Sequence, residues 1–206
     1  MASAVPVSRP RSAFNNNYWI VPAVRAVLAL AVGFAITFTK DIHTAFFGLI
    51  TFGLFAIVEG LATGVLSVVF SAGGLSRTFF VIQGIVGLVA GVLALVLAHN
   101  GLGMFLYLVT GWAALTGFLE LCSGLRERHT GNHARDWIFI GAITIVLALV
   151  LLFVPADPLL AIGLFGAWAV IAGVFHGIAA ASLRFASRSS AGDVEQGSVE
   201  DGRKAS

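Results

Sequence analysis

Residues 44–70 read TAFFGLITFGLFAIVEGLATGVLSVVF, an apolar run in which Glu59 is the one charged side chain. The run exceeds the roughly 20 residues with which a helix crosses about 30 Å of hydrocarbon. A barrel strand would be about 9–11 residues of alternating polarity, and no such alternation is present. Lipid has no water to satisfy an exposed backbone, so the segment reads as a transmembrane helix. Ala56, Gly60 and Gly64 fall on one of its faces.

Working outward, the same signature recurs at Tyr18–Phe38, Phe79–Ala98, Gly101–Gly124, Asp136–Val154 and Pro158–Leu183. Turn-forming or charged residues divide the runs: Lys40-Asp41, Gly73-Gly74, His99-Asn100-Gly101, Arg126–Asp136 and Pro155–Pro158. The expected fold is all-α: a polytopic membrane protein, a six-helix transmembrane bundle built from three helical hairpins. Of the 206 residues 58% are hydrophobic and 11% charged, against roughly 25% charged in soluble domains. A soluble core of this size could not hide that much apolar surface.

Three regions follow. Residues 1–17 are polar, carry Pro6, Pro10 and Asn15–Asn17, and are expected to be a disordered cytoplasmic segment. Residues 18–183 form the transmembrane domain, with repeats at about 18–70, 77–124 and 136–183. Residues 184–206, rich in Ser, Gly and self-cancelling charge, are expected to be a disordered cytoplasmic tail. The first apolar run is long enough to span and lacks a small-residue cleavage site before Lys40, so it reads as a retained helix rather than a signal peptide.

Orientation comes from Lys and Arg. With six spans, Arg9, Arg11, Arg77, Arg126, Arg128, Arg135, Arg184, Arg188, Arg203 and Lys204 share one side, and Lys40 lies on the other. The positive-inside rule then puts both termini in the cytoplasm. The net charge of +2 is spread over short loops, which speaks against a nucleic-acid face.

The hairpins are alike. Gly53-x-x-Ala56-x-x-x-Gly60-x-x-x-Gly64 in the second helix is matched by Gly166-x-x-Ala169-x-x-x-Gly173-x-x-x-Gly177 in the sixth. The fourth helix keeps Gly111 and Ala114 but has Phe118 and Cys122 where glycine would recur. Arg25-Ala26 and Gln83-Gly84 stand at the same place in the first two units, whereas the third opens with Ile138–Gly141. Repeats of this period are copies of one supersecondary unit. The glycines are expected to serve helix packing, since close backbone contact holds helices together in lipid. These tandem two-helix units, with Arg/Gln-small openings and glycine-striped second helices, resemble the HdeD family of acid-resistance membrane proteins over about residues 18–183. The resemblance implies a non-enzymatic inner-membrane protein of stress and acid survival, and it brings no catalytic residues.

A charge in hydrocarbon costs at least about 2.5–3.5 kcal/mol on insertion scales, so each buried one needs a partner. Arg25 and Glu59 are equidistant from the first outer turn, and Gln83 and Glu120 from the second. Two pairs are therefore expected, Arg25–Glu59 and Gln83–Glu120. They either lock the hairpins together or line a proton or ion path. In that scheme Glu120 has no facing cation, which makes it the candidate proton carrier. His176, near the inner end of the last helix, is a candidate pH-responsive group or a hydrogen-bonding bundle residue. His43 and His99 fall at outer loops. Tyr18, Trp19 and Trp137 read as interfacial anchors, and Trp112 and Trp168 as packing.

His129 and His133 have metal spacing only on a helix, and Gly131-Asn132 between them argues for a loop. No metal or cofactor is expected, and no nucleophile–base pair or phosphate loop is visible. The sequence thus favours a bilayer-bound, non-enzymatic protein, and it points to no known small-molecule substrate. Two alternatives stay open: a small transporter or proton/ion channel using Glu59 and Glu120, and a scaffold that homo-oligomerises through its glycine stripes.

Overall fold

A computed structural model describes the backbone at residues 19–70, 75–127 and 134–204, and side chains at 19–69 except Lys40, 77–126 and 135–185. Six helices follow one another: α1 (Ile20–Phe38), α2 (Ala45–Phe70), α3 (Leu75–Val96), α4 (Gly101–Glu127), α5 (Ala134–Phe153) and α6 (Pro158–Lys204). All six are long and apolar enough to cross a membrane. The outside of the bundle is apolar too, with Val65, Ile85, Leu152 and Phe153 among the exposed side chains. Such a surface belongs in lipid.

Local chemistry sets the helix ends. Lys40–Ile42 form a short 3-10 turn after α1. The Thr44 hydroxyl then accepts the Phe47 N–H at 3.2 Å, at the start of α2. Asp157 does the same for Leu160 at 2.8 Å, and Pro158 fills the first position of α6, where no N–H is needed. Gly101 has φ +80°, which glycine adopts without steric cost. The turn from α3 into α4 can therefore be very short. We call the end of the bundle holding these turns distal, and the end holding Trp19 and Arg184 proximal. There the Arg184 guanidinium lies 5.0 Å from the Trp19 ring centroid, tying the start of α1 to α6.

The outer turns join α1 to α2, α3 to α4 and α5 to α6, but the closest packing runs between α2 and α3, α4 and α5, and α6 and α1. Glycines make these three seams. A Cβ on Gly84 would stand 2.7 Å from the Gly60 carbonyl oxygen, and one on Gly91 2.7 Å from that of Gly53. In the α1–α6 seam, Gly173 abuts the backbone of Leu30 as Gly60 abuts that of Leu88, and Gly166 packs on Ile36. Leu30 follows Arg25 as Leu88 follows Gln83, so the sequence repeat reappears as a repeated contact. In α4 the seam residue is Gly117, which meets Gly141 of α5. Gly111, which matches Gly53 in the repeat, has nothing within 4 Å of an added Cβ. The fourth helix has thus moved its close contact to a different face. Gly64 touches Gly84, and Gly177 approaches Ala26 only at ordinary contact distance, 3.9 Å.

The second helices of the hairpins, α2, α4 and α6, bring an aromatic core to the centre: Phe52, Phe55, Phe105, Trp112, Phe165 and Trp168. Most of these rings meet edge to face, as Phe52 with Phe165 (5.7 Å) and Trp112 with Trp168 (5.2 Å), the arrangement the ring quadrupole favours. Trp168 also donates its indole N–H to the Thr144 hydroxyl at 3.1 Å. Two expectations need comment. The segment from residue 184, expected as a disordered tail, continues α6 as helix to Lys204; after Pro158 the chain contains no proline to stop it. Residues 1–17, the Gly73-Gly74 turn, Tyr18, His129 and His133 lie outside the described residues.

Candidate functional site

Four helices each contribute one polar side chain to a single point in the bundle. Arg25 comes from α1, Glu59 from α2, Gln83 from α3 and Glu120 from α4. At 1.5 Å per residue, Arg25 lies about 8 Å from the start of α1, so the cluster belongs to the proximal half. All four side chains are buried, Arg25 at 9% exposure and the others at 2–3%.

Arg25 stands between the carboxylates. Its Nε lies 2.9 Å from Glu59 Oε1, and its Nη2 donates to Glu120 Oε1 at 2.6 Å. The Nε contact is an ion pair by distance, without the alignment of a hydrogen bond. Gln83 Nε2 donates to the same Glu120 oxygen at 3.0 Å, and the Thr63 hydroxyl donates to Glu59 Oε1 at 3.0 Å. Both expected pairs therefore exist, and they are fused into one cluster. The expectation that Glu120 lacks a facing cation is corrected: Arg25 is its counter-ion. Reasoning by depth within a single hairpin could not find this contact, because it joins α1 to α4, one hairpin to another.

Each carboxylate receives its donors on Oε1. Glu59 Oε2 and Gln83 Oε1 are buried and have no hydrogen-bond partner among the described residues. Formally one guanidinium faces two carboxylates. A buried charge without compensation is expensive.

Directly proximal to Arg25 is a cavity of about 30 Å³, lined among others by Arg25, Thr63, Ser67, Asp136, Trp137 and His176. A volume of this order admits a water or two where polar partners exist. His176 is buried and shares this cavity with Arg25, so the structure places it beside the cluster. Trp137, expected as an anchor, packs edge-on against Phe80 at 5.0 Å. At the distal end His43 Nε2 lies 2.9 Å from the Ile36 carbonyl oxygen, and exposed His99 stacks 5.0 Å from the Phe46 ring. Among the described residues no group of three or more His, Cys, Asp or Glu stands together to hold a metal.

Three further buried hydroxyls turn back on their own helices. Thr116, Ser123 and Thr144 each donate to the carbonyl four residues earlier, at 2.7–2.8 Å. A second, lipid-facing groove of about 350 Å³ runs along α2 and α3 between Gly60, Gly64, Gly84 and neighbouring Val and Leu side chains.

Residues 82–153, which run from α3 to the end of α5, match a family model described as a short repeat of unknown function, DUF308. HdeD-type proteins are members of that family. The matched stretch includes Gln83, Glu120 and the Gly117–Gly141 seam. No curated protein and no solved structure matches the chain.

Proposed function

We propose that this multi-pass membrane protein is non-enzymatic and acts in stress tolerance, acid above all, as HdeD-type proteins do. It lies in the plasma (inner) membrane with both termini in the cytoplasm, and the bilayer is its main partner. The observation that carries the reading is the match of residues 82–153 to the DUF308 repeat, which takes in half of the buried polar cluster. The geometry is consistent with it. The cluster is an arginine shared by two carboxylates from different hairpins, a contact that ties those hairpins together. Its polar groups bind one another, which suits a bundle-locking role better than turnover of a substrate.

The test is survival of a deletion strain at low external pH, restored by the wild-type gene. Unchanged survival across several acid conditions removes the acid role.

A second reading, a proton or ion conductor through Glu59 and Glu120, draws support from the cavity beside Arg25. The aromatic core distal to the cluster weighs against it. Phe52 lies about 10 Å distal to Glu59 at 1.5 Å per residue, and it packs edge to face against Trp112 and Phe165. The scaffold reading is weakened likewise, because Gly53, Gly60, Gly166 and Gly173 are already used in seams within the chain.

A further inference from the structure

We propose that Glu59 is a proton-binding site, loaded from the proximal end through the cavity and the Thr63 hydroxyl, and closed to the distal side. The inference rests on the membrane placement given under the proposed function. Its readout is spectroscopic rather than survival, so the two can fail separately.

Three observations converge on it. The first is charge: among the described residues Arg25 is the cation paired with both Glu59 and Glu120, and taking up one proton makes the cluster neutral. The second is the pair of bare acceptors. Glu59 Oε2 has no donor, and Gln83 Oε1 has none either. These residues immediately precede Gly60 and Gly84, where α2 and α3 touch backbone to backbone. A proton on the Glu59 carboxyl removes the charge from its unpartnered oxygen. The third is access. Thr63 is only 1% exposed, yet it lines the cavity and also donates to Glu59 Oε1.

Thr63 is therefore a bridge between cavity water and the carboxylate. Hydronium in the cavity gives a proton to the Thr63 oxygen and becomes water. The proton already on that hydroxyl passes to Glu59 Oε1, and the carboxylate becomes a carboxylic acid. No other bond changes. Rotation of the carboxyl group about its soft terminal torsion then exchanges the two oxygens, so the unprotonated one faces Arg25 and Thr63.

The groups facing Glu59 are Arg25 from α1, Gln83 from α3 and Glu120 from α4, with Asp136 of α5 and His176 of α6 across the cavity. Glu120 receives both the aligned Arg25 bond and the Gln83 amide, whereas Glu59 has the unaligned Arg25 contact and a bare oxygen. The added proton therefore goes to Glu59. A proton is favoured over a metal cation because neither Glu59 nor Gln83 lines the cavity, so an ion with a coordination shell has no room beside them.

The experiment is infrared difference spectroscopy of the full chain in phosphatidylethanolamine/phosphatidylglycerol vesicles, reading the protonated-carboxyl stretch after acidification. One such band is expected to appear, to shift on 13C-glutamate labelling, to persist in Asp136→Asn and to vanish in Glu59→Gln. Thr63→Val should keep the band but slow its appearance after a rapid pH jump. The proposal is overturned if no glutamate band appears, if the band survives Glu59→Gln, or if it is lost in Asp136→Asn. It is also overturned if Thr63→Val leaves the rate unchanged, or if sodium at fixed pH suppresses the band. Should Glu59→Gln not fold, the isotope shift, the Thr63→Val rate and the sodium titration still decide the matter.

Discussion

Arg25 is the residue on which the buried polar groups depend. Its guanidinium is permanently charged and forked, so one side chain can satisfy two carboxylates from different helices. A lysine would present a single compact charge on a flexible stem. Removing the arginine strands two buried carboxylates, and breaking a buried pair from one side costs about 3–5 kcal/mol. Arg25→Leu should therefore lower the thermal midpoint in detergent sharply, and Arg25→Leu with Glu120→Gln should recover part of the loss. If the double variant melts no higher than the single one, the charge account of the cluster is wrong. The pairing of Arg25 with Glu59 was legible in the sequence, because both residues are equidistant from one turn. The pairing of Arg25 with Glu120 was not, because helix-to-helix neighbours across hairpins have no sequence spacing to betray them.

At the scale of elements, the glycine stripes divide into two classes that look identical in the sequence. Gly84 and Gly141 each face a neighbouring backbone at less than 3 Å from an added Cβ, whereas Gly111 and Gly163 face open space. A methyl in the first class must push two helices apart, while in the second it reduces the freedom of the unfolded chain at no steric cost. We expect Gly84→Ala and Gly141→Ala to destabilise the bundle by about 1–3 kcal/mol. Gly111→Ala and Gly163→Ala should be neutral or slightly stabilising, by up to about 1 kcal/mol. Unfolding in detergent with denaturant checks both. Equal loss in the two classes would show that the seams are not where the structure puts them. The repeat predicted that glycines pack; which of them do depends on helix rotation. Gly117 rather than Gly111 became the α4 seam for that reason.

At the scale of the whole molecule, a polar cavity and charge cluster fill the proximal half, and a packed aromatic core fills the distal half. A proton site in such a bundle, as proposed above, is reached from one side. Reconstituted protein is expected to show no proton flux above that of Glu59→Gln and Glu120→Gln vesicles. Flux abolished by both substitutions would restore the conducting alternative. Reporter fusions at the two ends should both read as cytoplasmic, as the arginine distribution requires; ends on opposite sides would undo the six-span topology.

Composition and run length determined that this chain carries six helices long and apolar enough to cross a bilayer, and the spacing of its glycines that it repeats a two-helix unit. The physical reason is that hydrocarbon permits so few solutions for a polar backbone that length and apolarity suffice to name the one chosen. Only the tertiary structure decided which helices touch. It closed the ring through α1 and α6, spent the glycines on seams between hairpins, and gathered Arg25, Glu59, Gln83 and Glu120 into one cluster beside His176. Those outcomes turn on the rotation of each helix about its own axis. In a bundle whose surfaces are apolar on every side, no hydrophobic stripe records that rotation in the sequence.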